Sequence, residues 1–232
     1  MPSQTGLEVT GLNATIGATP IVRNASLAVT DGEMCGLIGR NGAGKTTLLR
    51  ALMGLVPAEG HAVLGGSDLI ALPDHRRAHL GIGYMPEDRR LVPEFTAEQN
   101  IRFPVWSLGL EGAEARLSWI YELMPEVLAL RGRRALQLSG GQQKLVALGR
   151  ALMAGRRLLL LDEPFEGLAP ALARRLAEVI FALKESGQET GQAPAVLIAD
   201  SNETHTKDLL DRAYRIERGA VSAGEAAAGA AI

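Results

Sequence analysis

The stretch Gly39-Arg40-Asn41-Gly42-Ala43-Gly44-Lys45-Thr46 follows a short apolar run, Met34-Cys35-Gly36-Leu37-Ile38, and leads into Lys45 to Met53, where Leu48, Leu49 and Leu52 recur at helical spacing. Strand, glycine loop, helix is the order a phosphate-binding loop requires. Glycines let the backbone curl so that successive N–H groups point inward at a polyphosphate, and the helix behind adds its positive end. Lys45 is placed to reach the β- and γ-phosphates, and the Thr46 hydroxyl to take one Mg2+ position, with Thr47 in the same helical turn. The reading predicts an α/β fold that binds a nucleotide.

A second strand supports it. Leu158-Leu159-Leu160-Leu161-Asp162-Glu163-Pro164 places two carboxylates at the C-terminal end of a buried run, the edge of an α/β sheet where ligands sit. Asp162 is expected to hold the hydration shell of Mg2+, and Glu163 to orient the attacking water. A third stretch, Leu138-Ser139-Gly140-Gly141-Gln142-Gln143, opens an amphipathic helix carrying Leu145, Leu148 and Leu152. It reads either as a plain N-cap or as a second anion cradle with the Ser139 hydroxyl as an added donor. One chain does not need two cradles for one nucleotide, so the second is expected to serve a nucleotide held by another subunit.

Between these motifs, Leu7–Thr10 and Ala25–Val29 read as short strands around a loop containing Gly11, Gly17 and Pro20, with further strands at Gly81–Met85 and Ala195–Ala199. Ala97 to Leu130 reads as an inserted set of helical pieces broken by Pro104, Gly109, Gly112 and Pro125. Leu172, Leu176, Val179, Ile180 and Leu183 share one helix face. The tail from 222, Ala- and Gly-rich from Ala223, is expected to be loose. Trp106 and Trp119 are expected in the core.

Composition excludes several classes. With 24 Lys plus Arg against 26 Asp plus Glu, the chain lacks the basic excess that nucleic acid demands, and the Arg89-Arg90 and Arg131–Arg134 groups read as solvated faces. A lone Cys35 builds neither a disulfide framework nor a zinc site. No apolar run reaches the roughly 20 residues that span a bilayer. Met1 to Thr5 carries no secretion signal, so a cytoplasmic protein is expected.

Gly39–Thr46, Leu138–Gln142 and Leu158–Glu163, in that order, resemble the Walker A, signature and Walker B motifs of ATP-binding-cassette (ABC) ATPases, over roughly Leu7 to Val221. The resemblance implies the P-loop ABC-ATPase fold: an N-terminal antiparallel β part, an ATP-binding core over about 7–88 and 151–221, and a helical subdomain over about 89–150. It implies ATP and Mg2+ as ligands, with ATP hydrolysis on closure of two cassettes, each signature loop (Ser139, Gly140, Gly141, Gln142) covering the partner's ATP. The partner is a second copy or a distinct paralogous subunit. It also implies two membrane permease subunits, indirectly a solute-binding protein, and a place on the inner face of the cell membrane.

Gly83–Pro93 and Glu163–Pro170 resemble more narrowly the LivF-type subunit of branched-chain amino-acid uptake systems. There Glu87 stands at the Q-loop position, where one carboxylate oxygen still reaches toward Mg2+, and Ala169 stands at the D-loop aspartate. Three departures stand out. Ile16 replaces the tyrosine that stacks on adenine, Phe165 replaces a small residue and is expected to alter the dimer contact, and Ser201 stands at the switch histidine. Ser201 is too short to reach a γ-phosphate as imidazole does, which leaves a slow or regulatory cassette as an alternative, with His205 reading as a surface histidine. A non-transport ABC ATPase is the other, but the paired cassettes, coiled-coil insertion or basic surface that such proteins use are not visible.

Overall fold

The computed structural model describes residues 5–190, 193–201 and 204–226. The helix behind the glycine loop, α1 (Lys45–Met53), packs against strands of two sheets. The first sheet is antiparallel, in the order β2-β1-β4-β5, built from β1 (Thr5–Ile16), β2 (Thr19–Thr30), β4 (Ala58–Leu64) and β5 (Ser67–Asp68). The second has the order β10-β9-β3-β8-β7-β6, from β3 (Met34–Ile38), β6 (Ile82–Met85), β7 (Leu158–Asp162), β8 (Ala195–Asp200), β9 (Arg212–Glu217) and β10 (Ala220–Ala226). From β9 to β6 the neighbours are parallel, and β10 is an antiparallel edge.

The alternation of side chains along the buried strands divides the interior into two cores. Leu158 and Leu160 of β7, with Leu197 and Ala199 of β8, join α1 and the antiparallel sheet. Leu159 and Leu161, with Val196 and Ile198, join the helices on the other face. Those helices are α3 (Ala97–Leu108), α4 (Ala113–Leu123), α5 (Pro125–Leu130), α6 (Gly140–Ala154) and α7 (Pro170–Thr190), after a short α2 (Asp74–Arg77). A four-leucine strand is what a sheet covered on both faces demands.

The hairpin differs from its expected form. The strands around Gly11, Gly17 and Pro20 are longer than Leu7–Thr10 and Ala25–Val29, and only Gly17 and Ala18 lie between them. Gly11 is no loop signal. It sits in β1 with φ +62° where the register with β2 shifts, and Gly60 of β4 crosses so closely that a Cβ there would meet the Gly11 carbonyl oxygen at 2.5 Å. Pro104 does not break its helix: it is buried inside α3, which starts with a capping box between Thr96 and Gln99 and packs on α6. Tertiary burial there outweighs the lost backbone bond. Gly109 and Pro125 do act as stops and starts.

Residues 223–226, expected to be loose, pair with β9 as part of β10, and residues 227–232 lie outside the described residues. Trp106, expected in the core, is 56% exposed, whereas Trp119 packs against the helical core under the Arg116 guanidinium, 4.1 Å from its ring. Cys35 is buried, and burial pushes its thiol up to about 12, so it is inert. Among the described residues no helix is long and apolar enough to cross a membrane.

Candidate functional site

Because β3, β7 and β8 are parallel neighbours, their C-terminal ends fall on one edge, and that edge gathers the glycine loop after β3, the Asp162–Glu163 pair at the end of β7 and Ser201 after β8. β3 runs into Gly39, where a Cβ would meet the Ile216 carbonyl oxygen at 2.3 Å, so only glycine fits beneath the loop. Gly44 caps α1 with φ +112°, a conformation that glycine alone adopts freely. No side chain caps the helix and no acidic residue occupies its first turn, which leaves its N–H groups available to an anion. The other end is closed: Gly54 takes a left-handed C-cap, and the buried Arg77 guanidinium donates to the carbonyls of Ala51 and Leu52 at 2.6 and 3.1 Å.

Lys45 Nζ curls back over the loop, donating to the Gly39 carbonyl at 2.6 Å and the Arg40 carbonyl at 3.3 Å. It also forms a buried ion pair with Glu163, 2.9 Å from Oε1. The Thr46 hydroxyl donates to Asp162 Oδ1 at 3.0 Å, and the Tyr84 hydroxyl, from β6, donates to Oδ2 at 3.2 Å. Burial pushes the Asp162 carboxyl up to about 6, against both hydrogen bonds. Glu163 takes φ +47°, a left-handed value in a non-glycine residue, and its Oε2 accepts from the Ser201 backbone N–H at 3.2 Å. Ile16, Asn41, Gly42, Gly44, Lys45, Thr46, Thr47, Glu87 and Glu163 line one cavity of about 480 Å3. Ile21, Arg50 and Glu166 complete that lining.

Ser139, Gly140, Gly141 and Gln142 do not line it. They form the exposed start of α6, where Ser139 Oγ accepts from the Gln142 N–H at 3.3 Å and Gln142 Oε1 accepts from the Ser139 N–H at 3.0 Å. Both side chains are engaged in capping their own helix. Phe165, expected to intrude on a dimer contact, is buried in the helical core. His205, read as a surface histidine, lies exposed on a turn, its ring centroid 5.6 Å from that of Phe165.

Two participants escaped the sequence reading. Tyr84 is Asp162's partner, and the only signal was the strand Gly81–Met85, whose neighbour in the sheet the sequence does not reveal. Lys144, inside α6, carried no signal in the sequence and is buried beneath Glu163.

The donor set suits Mg2+ as phosphate-loop proteins hold it: one hydroxyl, one buried carboxylate, and the remaining positions left to phosphate and water. Asp162→Asn tests the cost of that arrangement. The Asp162 carboxyl titrates near 6 in the fold against 3.8 for the free side chain, so the fold holds the proton more tightly and loses stability as pH rises from about 4 to about 6. The cost above pH 6 is about 3 kcal/mol. Asp162→Asn is therefore expected to melt higher than wild type at pH 8, with the gain vanishing below about pH 4. Equal melting temperatures at pH 8 would refute the buried-charge assignment.

Residues 22–166 match the ABC transporter family. An uncharacterized ABC transporter ATP-binding protein of Rhizobium meliloti is 37% identical over 214 residues, covering 91% of this chain and 77% of that protein. The lipopolysaccharide export ATP-binding protein LptB of Acidithiobacillus ferridurans is 37% identical over 204 residues, covering 87% and 82%. The high-affinity branched-chain amino acid transport ATP-binding protein BraG of Pseudomonas aeruginosa is 34% identical over 206 residues, covering 88% and 86%. Among solved structures, the ADP conformation of MJ1267, an ATP-binding cassette of an ABC transporter, superposes with a TM-score of 0.79 at 26% identity, covering 96% and 92%. This chain therefore belongs to the ABC transporter family, as an ATP-binding subunit with the ABC ATPase fold and activity.

Proposed function

We propose that this chain energises import of a small solute, a branched-chain amino acid or a related amide, as the LivF-type cassette of a transporter with separate membrane subunits. The observation that carries the cassette reading is the split site: the cavity gathers Lys45, Thr46 and Glu163, with the buried Asp162 bonded to Thr46, while Ser139–Gln142 stands outside it on an exposed helix start. Two copies, or this chain and a distinct paralogue, close head to tail, so that each signature stretch covers the partner's ATP. Residues 7–88 and 151–221 act as the ATP-binding core, and 89–150 as the helical subdomain.

The chain's own groups divide the work. The N–H groups of Asn41, Gly42 and Gly44 to Thr47, together with the Lys45 ammonium, hold the β- and γ-phosphates, while the Gly39 and Ala43 N–H groups donate to the carbonyls of Asp200 and Arg40 and brace the loop. Ile16, 52% exposed at the cavity rim, packs against the base in place of an aromatic ring. Glu163 orients the attacking water, and the Ser201 N–H steadies the carboxylate. Thr46 and Asp162, with Glu87 at the rim, would hold Mg2+, which neutralises charge on the phosphate oxygens when bound.

Import rather than export is favoured by the two stretches around Glu87 and Ala169, and by BraG among the relatives, against the LptB relatives. Membrane subunits have a suitable landing surface: Phe103 and Trp106 are exposed large apolar side chains on α3, each with its ring centroid within 6.3 Å of Phe95. Docking there places the chain on the inner membrane face.

The test is uptake by vesicles carrying the cassette with its membrane and solute-binding subunits. Radiolabelled leucine is expected to accumulate only with ATP inside. Ser139→Arg is expected to abolish uptake and ATP-driven dimerisation while the isolated chain binds ATP as before. Loss of binding in the isolated variant would place Ser139 in its own chain's site, and ATP-dependent movement of lipopolysaccharide instead of leucine would replace the import reading.

A further inference from the structure

Lys144 is a lysine with almost no contact with water, 6% exposed in the first turns of α6. Its Nζ donates to the Glu163 carbonyl at 2.7 Å and to the Glu166 carbonyl at 2.6 Å. Burial lowers the affinity of this amine for its proton, the Arg89 charge adds to that, and the acidic side chains of Glu166, Glu163 and Glu87 oppose it. A cation kept so far from water needs a compensating role, because a lysine in the first turns of an exposed helix start would otherwise point outward.

The two carbonyls explain the role. Glu163 has a left-handed backbone, φ +47°, costly for a residue with a Cβ and stable only where its surroundings over-determine it. Its N–H donates to the Ala199 carbonyl at 2.9 Å, and its carbonyl accepts from the Glu166 N–H at a long 3.3 Å. Lys144 supplies the stronger, charge-assisted bond to the same oxygen. The peptide plane after Glu163 is thereby pinned from α6, and the turn from Glu163 to Glu166 is fastened at both ends. The direction in which the Glu163 carboxylate leaves the backbone, toward Lys45 and the Ser201 N–H, follows from that plane.

We propose that Lys144 is a positioning residue for hydrolysis. Its ammonium holds Glu163 in the left-handed conformation and ties the helix carrying Ser139–Gln142 to the backbone of Glu163 and Glu166 in its own chain. The contact makes each cassette's signature helix part of its own hydrolytic site as well as its partner's. This rests on the reading of Glu163 as the water-orienting group.

Lys144→Met, which keeps most of the stem and removes the donors, is expected to lower kcat roughly ten- to a hundredfold, the scale of a misplaced catalytic group. The Kd of the isolated chain for ATP is expected to stay within about twofold. Lys144→Arg, which again offers two donors, is expected to recover most of kcat. Should the Met variant not fold, Lys144→Gln, whose amide ends one bond short of the ammonium, carries the same expectation. Steady-state phosphate release and equilibrium ATP binding on the full chain read both quantities. A kcat within twofold of wild type in the Met or Gln variant would overturn the proposal, as would equal losses of kcat and ATP affinity, or an Arg variant no better than Met. Activity retained by Glu163→Gln would instead defeat the underlying reading of Glu163, whereas an inactive Glu163→Gln beside a fully active Lys144→Met would defeat this inference alone.

Discussion

Replacing Glu163 by Gln is expected to cut phosphate release roughly 10²- to 10⁴-fold, the range for a missing general base, while ATP remains bound. The geometry explains why binding survives. Gln keeps the oxygen that accepts from the Ser201 N–H at 3.2 Å, and Lys45 retains the Gly39 and Arg40 carbonyls as acceptors. What is lost is a carboxylate able to polarise water, along with the charge that competes with phosphate for Lys45 at 2.9 Å. The variant should therefore hold ATP at least as tightly as wild type and accumulate a closed dimer on gel filtration. Phosphate release near the wild-type rate would remove Glu163 from the mechanism.

Lys45→Ala has the opposite signature, losing the ligand rather than the chemistry. Charge-assisted hydrogen bonds contribute about 1.5–3 kcal/mol each, so the loss of this ammonium should weaken ATP binding by roughly ten- to a hundredfold or more. Stability should fall as well. Lys45 and Glu163 are both about 95% buried, at 5% and 6% side-chain exposure, and removing one partner of a buried pair strands the other charge at a cost of about 3–5 kcal/mol. Combining Lys45→Ala with Glu163→Gln separates the two losses, since neutralising the stranded carboxylate should recover much of the melting temperature and none of the ATP affinity. Calorimetry and equilibrium nucleotide binding measure the two directly. An undiminished ATP affinity in Lys45→Ala would sink the phosphate-loop assignment.

Much of this was legible one segment at a time. The glycine loop, the four-leucine strand and the helix behind Ser139 carry local signals, namely turn chemistry, an unbroken apolar run and helical spacing, and each forms where those signals lie. β4 and β9 were missed for different reasons. β4 has Gly60 in its middle, which argues against a strand until the close approach of Gly11 is known, whereas β9 is a six-residue run whose alternation rests on two buried positions, Tyr214 and Ile216. Pro104, Trp106 and Phe165 defied expectation because burial is decided by neighbours: Pro104 is buried within α3, which packs on α6, Trp106 stays 56% exposed beside Phe95, and the helical core encloses Phe165.

By itself, the amino-acid order determined the chemistry: which residues can hold a polyphosphate, which carboxylates end a buried strand, and which motif needs a second subunit. Those properties belong to residue types at fixed spacing along one element, where the backbone geometry is set locally. Only the tertiary structure decided which groups meet across the chain. The parallel register of β6, β7 and β8 brings Tyr84 and Asp162 to one edge, and α6 lays a buried Lys144 beneath Glu163. Such contacts join residues far apart in sequence through packing and strand pairing, and no local pattern encodes either.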